Sequence, residues 1–301
     1  MELLATGFNA WGQLDFLDRN KDPSAGPDDF HSFQSILRGE SIGHLHSLLE
    51  CTFVKTTSGI LQAGFIDTSK EKIKEKLLSS TAALAGNGVI AEYDGRETVY
   101  QYQDQVAKDE QGQQMFPGME QLVQLIAYET GFVALSQDGR VWTWGDERYS
   151  DCLGRLVTDS SPAERPGLVE ELEDLPTGKI IKIFAAGYLV LTLTEGHDLY
   201  VWGGHPGRKA LLEGLSSSPM PVVVEESDII DCGVGESHII VLTSEHEVYV
   251  IGDNTNGQLG LSVNEAVSWT RVSLQLKKGQ AVCGVAAGQR ASFILIKDKD
   301  P

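Results

Sequence analysis

One pattern returns along this chain about every fifty residues, and a repeat of that period is the strongest constraint on what it can fold into. Residues 235–252 read GESHIIVLTSEHEVYVIG, and residues 128–145 read YETGFVALSQDGRVWTWG. Residues 187–203, GYLVLTLTEGHDLYVWG, follow the same layout one residue shorter. Each copy is an apolar strand, a polar hairpin and a second strand that ends in Gly. The alternation in Val141-Trp142-Thr143-Trp144 and Val248-Tyr249-Val250-Ile251 has the period of a strand and not of a helix. A further apolar stretch precedes each unit, at 122–127, 180–186 and 229–234, and small residues crowd its end, as in Ala185-Ala186-Gly187. Small residues suit a place where several sheets converge.

Weaker copies complete the series. Residues 47–64 keep the strand–turn–strand–Gly layout, and residues 85–102 keep the hairpin at Tyr93-Asp94-Gly95-Arg96 without a final Gly. The last copy starts at Gly288, and residues 2–7, ELLATG, read as its missing second strand. The units then close at 7, 64, 102, 145, 203 and 252. A sheet shared between the two ends of the chain is how a ring of blades removes its free edges. The sequence predicts an all-β chain, a six-bladed β-propeller over residues 1–301 as one domain, with the first and last strands paired in one blade. Residues 67–80, with Ile73, Leu77 and Leu78 among lysines and glutamates, predict a short amphipathic helix outside the ring.

Charge narrows the function. The 24 Lys and Arg stand against 43 Asp and Glu, a net −19 that disfavours nucleic acid and anionic membranes as direct partners. No apolar run approaches the roughly 20 residues of a membrane helix. The start, Met1-Glu2-Leu3-Leu4, lacks a basic region followed by a long apolar one, so no secretory signal is expected. The four cysteines are scattered without a CxxC pair. A reduced intracellular setting, cytoplasmic or nuclear or both, fits these features, and the cysteines read as small core fillers.

The combination G-x-x-H, strand, D-G hairpin, W-G and N-x-x-G-Q-L-G resembles the repeat of the regulator of chromosome condensation family. It stands in Gly235-Glu236-Ser237-His238, in Asp138-Gly139 with Trp144-Gly145, and in Asn254–Gly260, with a worn copy at Asp151-Cys152-Leu153-Gly154-Arg155. The resemblance is strong over 122–301 and 1–14 and poor over 60–120. It implies a propeller, most often of seven blades in the family, so seven is the alternative count. It also implies a protein-binding role. The family includes nucleotide exchange factors for a small nuclear GTPase and scaffolds that bind a small zinc protein. Only Glu236 and His238 match the exchange factor's turn pattern, and no basic tail is present.

Few residues suggest chemistry. Residues 86–91, GNGVIA, match G-x-G-x-x-A but run into a hairpin where a dinucleotide site needs a helix start. His44 and His46 share one strand face without a third ligand. No G-x-S-x-G, H-E-x-x-H or P-loop occurs. No catalytic residue, metal or cofactor is therefore expected, and the chain reads as a non-catalytic interaction scaffold, a monomer or part of a hetero-complex, with regulation of a small GTPase as the alternative. If each blade has four strands, innermost first, the G-x-x-H turns and the loops after W-G share one face. That face collects Trp11, Tyr128, Arg148, Tyr149, Tyr188, Arg208, Glu236, His238 and Arg290. Aromatic residues and arginine dominate interface hot spots. His238 has a second reading, a ring nitrogen bonded to a neighbouring backbone. The opposite face collects acidic hairpins such as Asp138, Glu195 and Glu245.

Overall fold

A computed structural model describes residues 1–17, 28–66, 74–103 and 112–298. Six antiparallel sheets carry the chain, each built as a propeller blade, so the fold is the six-bladed β-propeller that the repeat predicts. The chain divides into two compact units, one made of Met1–Leu78 with Val224–Pro301 and the other of Ser79–Val223. Each unit contains three of the blades.

In the unit Ser79–Val223, blade 2 has the strands Ala82–Leu84, Ile90–Tyr93, Thr98–Tyr102 and Gln114–Pro117. Blade 3 has Leu122–Tyr128, Gly131–Ser136, Val141–Gly145 and Gly167–Leu168. Blade 4 has Ile180–Ala186, Leu189–Thr194, Leu199–Gly203 and Met220–Val222. The second strands of blades 3 and 4 are buried at every position, which is why they read as nearly continuous apolar runs. The tryptophan of each W-G pair locks its blade to the one before. Trp144 stacks on Phe132 at 5.3 Å, meets Phe116 edge-on at 6.0 Å, and donates from Nε1 to Gln101 of blade 2 at 2.7 Å. Trp202, fully buried, donates to the Cys152 carbonyl of blade 3 at 3.0 Å. The Gly after it is required: Gly203 has φ +111°, and a Cβ there would stand 2.3 Å from the Tyr188 carbonyl.

In the other unit, blade 5 has Ile229–Val234, His238–Thr243, Val248–Asp253 and Glu265–Arg271. Blade 6 joins distant parts of the chain. Glu2–Gly7 lies between Ala291–Asp298 and Phe30–Arg38, with Gln280–Ala287 innermost. Leu4 faces Ile294 and Ala5 faces Phe293 in an unbroken register. Ile36, Phe293 and Ile294 are at most 1% exposed, and each contributes about 1.5–3 kcal/mol through burial. Blade 1 has Ile42–Ser47, Cys51–Thr56 and Gly59–Gly64, three strands among the described residues.

Residues 74–77 are helical, with Leu77 and Leu78 buried. The rest of the expected helix, 67–73 with Ile73, lies outside the described residues. All four cysteines are free, and Cys51, Cys152 and Cys232 are buried as small core residues. No described helix is long and apolar enough to cross a membrane.

Candidate protein-interaction site

Two loops with the same internal wiring explain the N-x-x-G-Q-L pattern. Between the third and fourth strands of blade 5, the Asn254 amide donates to Leu261 O at 2.9 Å while its Oδ1 accepts from Leu259 N at 2.7 Å. After Glu2–Gly7, Asn9 donates to Asp28 O at 3.2 Å and accepts from Leu14 N at 2.8 Å. Gln258 and Gln13 repeat one another too, accepting from Asn256 N at 2.9 Å and Trp11 N at 3.0 Å. Leu259 and Leu14 are the buried plugs. The motif is therefore a folding device, and the residues between its fixed points are what the loop presents.

Blade 3 carries a modified copy. Asp146 caps a 3-10 turn over Glu147–Leu153 by accepting from Arg148 N at 2.9 Å, and it also grips the Arg148 guanidinium at 2.6 Å. This charge-assisted fork holds the Asp146 carboxyl below its usual range. Arg155 ties down the following loop with a half-buried guanidinium that donates to the carbonyls of Ser161, Pro162 and Arg165 at 3.0, 3.1 and 2.9 Å. Burial of Cys152 pushes its thiol up to about 12, and Sγ donates to Tyr188 O at 3.3 Å. That contact fixes the turn of blade 4 against the loop of blade 3.

On this base three rings meet. Tyr149 and Tyr188 lie 4.8 Å apart between centroids. His205, which follows Gly203-Gly204, stands edge-on to Tyr188 at 4.6 Å and 5.6 Å from Tyr149. Arg148 sits over Tyr149 at 5.9 Å and Arg208 over Tyr188 at 5.8 Å. Burial first, then the adjacent Tyr149 hydroxyl, pushes the Tyr188 phenol up to about 12, so it stays a neutral donor at physiological pH. The rings are half-buried and both arginines are exposed. Such a platform offers π faces, hydroxyls and cations to an incoming protein.

The sequence-predicted residues are thus only partly brought together. Arg148, Tyr149, Tyr188 and Arg208 form the cluster just described. Tyr128 does not reach the surface: it is 2% exposed, because its hydroxyl turns inward and donates to Trp144 O at 3.3 Å. In the other unit, Trp11 is 51% exposed and packs on Phe65, and Glu236 pairs with Arg290 at 3.2 Å between the turns of blades 5 and 6. His238 is fully buried beside Gly235, where a Cβ would clash with the ring. It approaches the Ala291 backbone without a well-formed hydrogen bond, and burial pushes its pKa down to about 4. His238 is therefore a core residue that faces the Ala291 backbone and is not part of the surface.

The remaining chemical candidates resolve simply. Gly88, at φ +84°, sits in the turn between the first two strands of blade 2, so GNGVIA opens no helix. His44 and His46 lie on the first strand of blade 1, burial lowering both and bringing His46 to about 4. No group of three metal-ligating side chains occurs among the described residues.

Residues 229–258, from the first strand of blade 5 into the Asn254 loop, match the Regulator of chromosome condensation (RCC1) repeat. Residues 229–258 thus carry one regulator of chromosome condensation repeat. It is 30% identical over 152 residues to the mouse Regulator of chromosome condensation, covering 48% of this chain and 34% of that protein. The similarity spans about a third of that relative's length. Two solved structures share the fold over the whole chain. Human WBSCR16 gives a TM-score of 0.63 at 15% identity with 99% of that chain covered. Prp20p from Saccharomyces cerevisiae, which binds Gsp1p and histones, gives 0.63 at 13% identity with 92% covered.

Two surface residues escape a reading by motif, His205 and Phe65. His205 had a signal: it stands two residues past the Gly203 that closes the third strand, where blade 3 places Glu147. Phe65 follows its closing Gly64 directly.

Proposed function

We propose that this RCC1-repeat propeller is a non-catalytic scaffold that holds a protein partner on the Tyr149–Tyr188–His205 platform. One observation carries the reading: three aromatic rings in mutual contact, flanked by two exposed arginines, on loops braced from beneath by Cys152 and Arg155. Rigid aromatic groups lose little entropy when a partner covers them, and together with arginine they carry most interface energy. The test is comparative affinity purification with quantitative mass spectrometry. A partner retained by the native chain and lost with Tyr149→Ala and Tyr188→Ala supports the platform; identical partner sets refute it.

A second reading, regulation of a small GTPase, draws on the likeness to Prp20p. The Glu236–Arg290 pair would be its contact point, being an ion pair at the surface between the turns of blades 5 and 6. Release of labelled GDP from candidate GTPases, with and without stoichiometric protein, separates the two readings.

A further inference from the structure

Among the described residues, blade 1 ends one strand early. The other five blades each pair their third strand with a fourth, as in Trp142 with Leu168, Leu199 with Val222, Tyr249 with Arg271 and Thr98 with Pro117. Gly59–Gly64 pairs with Cys51–Thr56 on one side, and no described strand lies on the other. Phe65 N donates to Glu50 O at 2.8 Å. By the alternation of an antiparallel ladder, Ala63 and Leu61 also bond inward, so Ile60, Gln62 and Gly64 turn their backbone groups outward.

Exposed edges are ordinarily blunted by Lys, Pro or a bulge. Residues 59–66, GILQAGFI, contain neither charge nor proline, and the register of Gly59–Gly64 is unbroken. Leu61 is 37% exposed. At the end of the strand stand two half-exposed rings, Phe65 at 55% and Trp11 at 51%, with centroids 6.0 Å apart. An unpaired ladder beside an apolar anchor is the geometry of strand addition, where main-chain bonds supply affinity and a side-chain contact supplies choice.

We propose that the outer edge of Gly59–Gly64 receives an extended segment of another protein, antiparallel, as the fourth strand of blade 1, with one apolar side chain seated on Trp11 and Phe65. A second copy of this chain is a poor occupant, because each copy carries −19 and like charge opposes edge-to-edge pairing. The same charge favours a neutral or basic segment. This site lies in the other unit from the tyrosine platform and does not depend on it.

The probe is a displayed library of random peptides selected on the full chain, with the enriched peptides then synthesised. The expected peptides are uncharged or basic and bind at least about tenfold more weakly to Gln62→Pro, which removes an outward N–H that the blade itself does not use. Trp11→Ala weakens them likewise, and the melting temperature changes little in either variant. Should Gln62→Pro misfold, hydrogen exchange on the native chain decides. Bound peptide slows the amides of Ile60 and Gln62, while those of Leu61 and Ala63 are slow already. Three results overturn the proposal: enriched peptides indifferent to Gln62→Pro, slow Ile60 and Gln62 amides in the free chain, or self-association abolished by Gln62→Pro.

Discussion

The Thr6 hydroxyl donates to the carbonyl of Gly257 at 2.7 Å, joining the strand Glu2–Gly7 to the loop between the last two strands of blade 5. The same hydroxyl stands 2.6 Å from Phe30 O, so one buried side chain serves its own blade and the next. Removing residues 1–14 strips this link and the middle of the blade 6 sheet, leaving Ala291–Asp298 and Phe30–Arg38 each with an unpaired edge. The expected outcome is insoluble protein or loss of the cooperative melt, checked by calorimetry. A truncated chain with an unchanged melting temperature would refute closure through the first strand.

Acid should weaken the fold in a defined window. The pKa of His238 is lowered from 6.5 to about 4 by burial, and that of His46 by the same cause to about 4. The folded state therefore resists a proton that the unfolded chain accepts. The stabilising contribution is complete above pH 6.5 and is lost as pH falls toward 4. For His238 the full effect is on the order of 3 kcal/mol. Urea melts at pH 7 and pH 5 read most of it, and His238→Asn should roughly halve the difference, leaving the part due to His46. The lowered carboxylates, such as Asp146, act at lower pH and do not blur this window.

Arg155→Lys should behave as a damaging change. A lysine ammonium cannot reach the Ser161, Pro162 and Arg165 carbonyls together as the planar guanidinium does. We expect a loss of about 2 kcal/mol in denaturant melts and faster hydrogen exchange over residues 158–166. Unchanged exchange there would show that the loop is held by other means.

Once a partner is known, Tyr149→Ala and Tyr188→Ala should each weaken binding at least about tenfold with little change in melting temperature. Charge reversals at Asp138, Glu195 and Glu245, on the hairpins, should alter mainly its salt dependence. Titration calorimetry at two salt concentrations checks both. If the reversals abolish binding and the tyrosine changes do nothing, the platform is not the contact.

Much of the architecture was legible because it is written in backbone necessity. Gly7, Gly64, Gly145, Gly203 and Gly252 mark strand ends where another turn crosses too closely for a Cβ, or where φ is positive. The split blade followed from the last copy, which starts at Gly288 and lacks a second strand that residues 2–7 supply. The outermost strands were harder to read. Gly167–Leu168 and Met220–Val222 are too short for alternation to register, and the half-buried edge position selects weakly. The site was half legible for a related reason. Motif position places a residue along a blade, but Tyr128 and Tyr188 occupy like turns and differ in which way the ring falls. A Gly two residues after the closing tryptophan, followed by His205, marked the third ring only in retrospect.

Shared wiring in blade 6 has a consequence for biosynthesis. Gly7 leaves the ribosome long before Ala291, its partner in the ladder. At about 5–20 residues per second the delay is roughly a quarter of a minute to a minute. Through that interval Glu2–Gly7 can pair only with Phe30–Arg38, and its buried residues Leu3 and Ala5 wait for their cover. The nascent chain is thus most vulnerable to misassembly late, when five blades' worth of sequence has emerged and the strand that completes the sixth has not.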